Sequence, residues 1–207
     1  MKAILFERLH GDHRRYAALL CILDRQLHIA AGEELPDYHL LAGLFRYLTH
    51  QPETWHRRVE GRLFERLAER APEHRELLAV LTEEHRRIAR YGRELEDRMW
   101  RATPEEALDL NVLNLARAFS ELYHHHLHAE DHRVLPRLEA HFPARELDAM
   151  DFGVSLESPP ESAPDFQRLY RRIATDRTGL RLGHDEQADY CPLCAAGRAS
   201  HADAQHP

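Results

Sequence analysis

The sequence predicts an all-α chain, an antiparallel up-down-up-down four-helix bundle with a C-terminal extension. Three observations carry this expectation. Apolar residues recur at i, i+3, i+4 spacing through four long segments. Strictly alternating apolar-polar runs, the mark of half-buried strands, are absent. The connections between segments are short, which favours antiparallel neighbours.

The first segment spans about residues 2–30, with Leu5, Leu9, Tyr16, Leu19, Leu20, Leu23 and Leu27 on one stripe and Gly32 just past its end. The second spans about 37–70, after Pro36. Pro52 interrupts it, and its missing N–H predicts a kink or break near His50-Gln51. Trp55, Val59, Leu63, Phe64 and Leu67 continue the apolar face. The third begins at Ala71-Pro72-Glu73, with proline suited to a first helical position, and runs to about Trp100. The fourth is expected to open at Thr103-Pro104-Glu105-Glu106, read as a capping box, and to stop near His141-Phe142-Pro143. Residues 1–145 are therefore assigned to the bundle. Residues 146–207 are assigned to a linker rich in Ser and Pro, a short helix near Asp165 to Ile173, and a tail.

Composition narrows the function classes. The 207 residues carry 28 Lys plus Arg against 35 Asp plus Glu, a formal charge of −7. That balance argues against nucleic acid or an anionic membrane as partner. No window approaches the roughly 18 apolar residues of a membrane span. The opening Met1-Lys2-Ala3-Ile4-Leu5-Phe6-Glu7-Arg8 meets charge too early for a secretory signal, and three cysteines do not make a disulfide scaffold; a reducing cytoplasm is expected. Cys21 is read as an ordinary core residue. The anomaly is histidine, 17 residues of 207.

Several of these histidines fall on apolar stripes. His13 is four after Leu9. His56 is three before Val59, with Glu60 one turn beyond on the same face. His85 is four after Leu81. His126 is four after Leu122, with Glu130 one turn beyond. A lone inward histidine is ordinarily a packing or interface residue, and a single His-x3-Glu pair a surface hydrogen bond. Four helices each supplying one imidazole, with two such pairs, form a different pattern. A buried carboxylate is costly unless compensated, so a shared positive partner is expected, and two metal ions use all six groups. Imidazole and carboxylate without thiolate suit iron, manganese or zinc. Six ligands over two octahedral ions leave a position open for a small molecule.

At these residues the chain resembles the hemerythrin-like, or HHE cation-binding, family. The motifs are Phe6-Glu7-Arg8-Leu9-His10-Gly11-Asp12-His13-Arg14, then His56-Arg57-Arg58-Val59-Glu60-Gly61-Arg62-Leu63-Phe64, then Glu83-Glu84-His85-Arg86, then His126-Leu127-His128-Ala129-Glu130-Asp131-His132-Arg133-Val134-Leu135-Pro136. The resemblance implies a four-helix bundle around a non-haem di-iron centre. It makes Glu60 and Glu130 the bridges and His13, His56, His85 and His126 the terminal ligands. It implies binding of dioxygen, peroxide or nitric oxide, for oxygen or iron sensing, storage or stress response, more as a binding protein than an enzyme. An enzyme consuming peroxide or nitric oxide is the alternative. Two departures stand out: Ala89 replaces the extra histidine of the oxygen carriers, which argues against reversible oxygen transport, and Arg57 replaces a frequent second histidine. His125 with Glu130, or His126 with Asp131, also satisfies a ligand spacing; the distance to Pro136 selects His126 with Glu130.

His10 stands one turn before His13, as a supporting donor, an alternative ligand or a partly exposed residue. His124, His128 and His132 share a face expected to be solvated. His50 and Glu53 flank Pro52, where they would line an entry path. Tyr16, Tyr47 and Tyr123 are placed near inward positions, for packing or, in one of them, to donate a hydrogen bond to a bound oxygen species. Cys191-Pro192-Leu193-Cys194 resembles half of a metal knuckle, which His184, His201, His206 or a second chain would have to complete. This tail suggests a further alternative, an interaction module, and leaves a homo-oligomer open.

Overall fold

The computed structural model describes residues 2–32, 34–103, 106–154 and 164–175. The Cys191/Cys194 motif and the three histidines considered with it lie outside them. The described residues are helical, with no strand among them. The elements are α1 (Lys2–Ala30), α2 (Tyr38–Thr54), α3 (His56–Arg70), α4 (Arg75–Arg101), α5 (Leu110–Ala129), α6 (Leu135–His141), α7 (Ala144–Ala149) and α8 (Pro164–Thr175). A 3₁₀ turn, Pro72–His74, leads into α4, and a π-helical turn, Glu130–Val134, joins α5 to α6. No helix among the described residues is long and apolar enough to cross a membrane.

α1 packs against α2 and α5, and α4 packs against α2, α3 and α5. α3 packs on α6, α7 on α1 and α8 on α2. The α2–α4 crossing is close because residue 92 is glycine: a Cβ there would stand 1.9 Å from Thr49 Oγ1 and 3.1 Å from the Phe119 ring. The chain past residue 145 still contributes to the interior, through Leu147, Phe152, Leu169 and Ile173.

Pro52 does not break the helix where its missing donor suggests. α2 continues through it to Thr54, and the break falls at Trp55 (φ −138°, ψ −55°). The carbonyl deprived of its partner is that of Leu48, four residues earlier. The Tyr123 hydroxyl on α5 donates to that oxygen at 3.3 Å. A tertiary hydrogen bond thus satisfies the group that would otherwise mark a break.

The fourth segment also starts elsewhere. α5 begins at Leu110, not at Thr103, with Asp109 as its cap: Asp109 Oδ1 accepts from the amides of Asn111 (2.9 Å) and Val112 (3.3 Å). Pro104 and Glu105 of the expected capping box lie outside the described residues; residues 106–109 are not helical, and the Tyr38 hydroxyl donates to the Glu106 carbonyl at 2.5 Å. Cys21 is exposed rather than buried, on the face of α1 opposite the leucine stripe.

A charge pair ties α8 to the start of α2, beside the buried Leu169 and Ile173. Arg172 donates to both oxygens of Asp37 at 2.7–3.0 Å, while Asp37 also caps α2 through the Leu40 amide at 2.9 Å. Burial would raise the Asp37 carboxyl, but Arg172 and the α2 amides hold it below its ordinary value.

Candidate metal centre

The interior is divided in two. One apolar cluster includes Tyr16, Leu20, Leu44, Phe45, Ile88, Leu95, Phe119 and Leu127; the other includes Leu5, Leu9, Val59, Leu63, Leu81, Val134 and Leu138. On α1 and α4 the boundary falls at an inward histidine: between Leu9 and Tyr16 lies His13, and between Leu81 and Ile88 lies His85. Helical spacing carries the stripe straight through these positions, so the imidazoles enter the core by the same geometry as the leucines.

His13, His56, Glu60 and Glu130 form one group of converging ligand atoms, and His85, His126 and Glu130 form a second. The exposures are 2% for His13, 3% for His56, 0% for Glu60, 2% for His126 and 1% for Glu130. His85 is the least buried, its side chain 15% exposed.

The two carboxylates are shared in a regular way. Glu60 Oε1 lies 2.9 Å from His56 Nε2 and 3.5 Å from His13 Nε2, while its Oε2 lies 3.4 Å from His85 Nε2. Glu130 reverses the order. Its Oε2 lies 3.4 Å from His13 Nε2, and its Oε1 lies 3.4 Å from His85 Nε2 and 3.1 Å from His126 Nε2. Each glutamate therefore offers one oxygen to the His13/His56 pair and the other to the His85 side.

These residues fit a pair of cations. All four oxygens of Glu60 and Glu130, with His126 Nε2, are buried without an aligned hydrogen bond. Buried carboxylates left in that condition are strongly disfavoured. His13 Nε2 and His56 Nε2 face one another at 3.1 Å, as two lone pairs aimed at a common ion do. Ligand atoms about 2.1 Å from an ion stand roughly 3 Å apart along an octahedral edge. The observed separations of 2.9–3.5 Å match that spacing.

Without a cation the groups must neutralise one another. Burial would lower His85, but Glu130 and Glu60 beside it raise it to about 9. Burial likewise opposes charge on His13 and His56, and both are raised by their carboxylate neighbours. Burial would push the glutamates up, and in Glu130 the charge of Glu60 adds to that push; the imidazoles prevail, holding Glu60 well below its ordinary value and Glu130 at about 2. The carboxylates stay ionised, so the layer carries negative charge that protons or metal must balance.

Carboxylates stand behind three of the four imidazoles. Asp131 Oδ1 meets His13 Nδ1 at 2.7 Å, Asp12 Oδ2 meets His56 Nδ1 at 3.3 Å, and Glu84 Oε2 meets His126 Nδ1 at 2.9 Å. Such contacts fix the tautomer so that Nε2 faces the ligand site. Asp131 reaches α1 because it sits in the π turn. That turn, closed by the Leu135 amide on the Glu130 carbonyl, lets Glu130 and its successor both point inward. Asp131 is thus behind His13 rather than among the converging atoms, and His10 meets the same Asp131 oxygen at 3.1 Å. His126, not the half-buried His125, enters the cluster.

His124 is buried at 6% and pairs with Asp24 at 3.1 Å, so it is not part of a solvated stripe. His50 pairs with Glu96 at 2.8 Å and Glu53 with Arg57, and none of these four is among the converging ligand atoms. Tyr16 stands edge-on to His56, ring centroids 5.4 Å apart, and closes the apolar side of the layer. Sequence reasoning missed Asp12 and Glu84 as supports. The available signal was an acid directly before an inward histidine in Asp12-His13 and Glu84-His85, although each acid serves the histidine of another helix.

Comparison with curated proteins and with solved structures finds no match. A family model described as the hemerythrin HHE cation-binding domain matches residues 5–138, more than half of the chain and a span that includes all six converging side chains. The chain belongs to the hemerythrin HHE cation-binding family.

Proposed function

We propose that the chain holds two non-haem iron ions between its helices and binds dioxygen or a related small ligand there, for sensing, storage or stress response. The observation that carries this reading is the division of four orphaned carboxylate oxygens between two pairs of imidazoles. In it Glu60 and Glu130 are the bridges, and His13, His56, His85 and His126 the terminal ligands. Manganese or zinc satisfies the same donor types. The reading treats α1, α2 with α3, α4, and α5 with α6 as the four antiparallel members of one bundle. The mutual packing of α1, α2, α4 and α5 supports it.

Iron supplies a redox-active, Lewis-acidic centre for a small oxygen or nitrogen ligand. The chain's own groups do the rest. Apolar clusters on both sides exclude water, and Asp131, Asp12 and Glu84 aim three imidazoles. Acidic net charge argues against nucleic acid as partner, and the sparse cysteines suit a reducing compartment.

A second reading, consumption of peroxide or nitric oxide, draws on Ala89. It is buried one turn after His85, where a further ligand would close the coordination shell. Elemental analysis with an absorption spectrum tests the first reading: two irons per chain are expected, and no tightly bound metal after adequate iron supply would overturn it. Turnover assays separate the second, which fails if Glu130→Ala retains full activity.

A further inference from the structure

The two halves of the cluster are alike in front and unlike behind. Both imidazoles of the first pair are braced by carboxylates that are themselves braced. Asp131 holds His13 at 2.7 Å and is met by His10 at 3.1 Å; Asp12 holds His56 at 3.3 Å and accepts from Arg15 at 2.6 Å. In the second pair only His126 has such a partner, Glu84 at 2.9 Å. No carboxylate stands behind His85 among the described residues. Its other contacts are ring faces, with Phe64 stacked at 6.2 Å between centroids and His126 edge-on at 4.4 Å. It is also the imidazole nearest to water, its side chain 15% exposed against 2% for the side chain of His13 and 4% for that of His56.

We propose that the two metal positions are kinetically unequal: the ion between His13 and His56 is retained, the ion between His85 and His126 exchanges, and His85 is the ligand that lets go. This rests on the two-cation reading above. Without a rear carboxylate the ring is oriented by packing alone, and its exposed edge offers water a path to replace it. A carboxylate behind a metal-bound imidazole fixes the ring and raises its basicity, and losing one such partner ordinarily costs 10- to 100-fold in affinity. Asp131 and Asp12 are positioning residues for the first ion, and Glu84 for the second.

The test loads the full chain anaerobically with ferrous ion and follows release to excess coloured chelator. Two phases of one ion per chain are expected, at least about tenfold apart in rate. Asp131→Asn and Asp12→Asn should accelerate the slow phase and leave the fast one unchanged. Glu84→Gln should accelerate only the fast phase. His85→Ala should remove the fast ion and keep the slow one, with the far-UV melting curve confirming that the variant is folded. Release in a single phase from protein holding two ions overturns the inequality alone. Saturation below two ions overturns the two-cation reading as well. Loss of both ions from folded His85→Ala, or acceleration of the fast phase by Asp131→Asn, reverses the assignment and refutes the proposal.

Discussion

The apolar layers and the polar layer between them are built from the same helices but answer to different demands. In the large apolar cluster, Phe119 is fully buried and meets Phe45 and Tyr123 at centroid distances of 5.4 and 5.7 Å. Each contact there stabilises the fold directly. In the polar layer, equally buried groups are kept at a cost, since ionic clusters in protein interiors are often less stable than apolar replacements of similar volume. The difference teaches that folding stability resides mainly in the flanking layers, and that the central layer is retained for what it holds.

The largest effect should come from the apolar side. Phe119→Ala is expected to cost about 3–5 kcal/mol in urea unfolding of the metal-free protein. Its folded fraction should still bind metal with the native stoichiometry; a loss of binding at native-like helicity would break the separation of layers.

The second effect is the mirror image. A cation at a thousandfold excess over its dissociation constant should stabilise the native chain by about 4 kcal/mol. Glu60→Gln should lose most of that increment while changing the metal-free transition far less than Phe119→Ala does. Calorimetry with and without metal measures both, and an undiminished increment in Glu60→Gln would count against its place in the centre.

Acidity sharpens the comparison next. Metal ligation needs neutral imidazole, whereas His85 is raised to about 9 without metal. Binding at pH 7 should therefore release protons into solution, and the release should shrink as pH approaches and passes 9. The folded value lies above the ordinary 6.5, so the stability His85 lends the metal-free protein is complete below 6.5 and fades as pH rises through about 9. Metal-loaded protein should not show that fading. Titrations of proton release and of melting temperature from pH 6 to 10 read these trends; metal uptake without proton release at pH 7 would contradict them.

How much of this is legible without coordinates depends on whether the deciding contact is local. The stripe through Leu9, His13 and Tyr16 is local, so the helices and their inward histidines can be read from spacing. The i, i+4 partnerships of His56 with Glu60 and His126 with Glu130 can be read the same way. The break near Pro52 cannot, because the Leu48 carbonyl is satisfied by Tyr123 from another helix. The start of α5 cannot, because Thr103 and Asp109 are both competent caps and packing decides between them. Asp12 and Glu84 serve histidines on other helices, and the inward turn of Asp131 depends on a π turn with no local mark. His124 looks solvated by position, yet Asp24 on α1 covers it.

The smallest effect lies at the partly exposed charge pair of α8, outside the polar layer. Arg172→Ala removes a partly exposed pair with Asp37 and should cost less than about 1 kcal/mol. Asp37 is held below its ordinary value, so its contribution is present above the usual carboxylate range and is lost as pH falls through the lowered value. Hydrogen exchange in α8 should rise in Arg172→Ala and at acid pH, with the centre's metal content unchanged. Equal exchange in α8 of native and variant would show that the pair does not fasten it.

Counting metal tests the central claim most directly. After iron loading and removal of loosely bound ions, elemental analysis of the full chain should find two irons per molecule. The Glu60→Gln, Glu130→Gln double variant, folded by far-UV circular dichroism, should bind none tightly. A native protein without bound metal, or a double variant that keeps both ions, would contradict the claim that these buried side chains converge to hold cations.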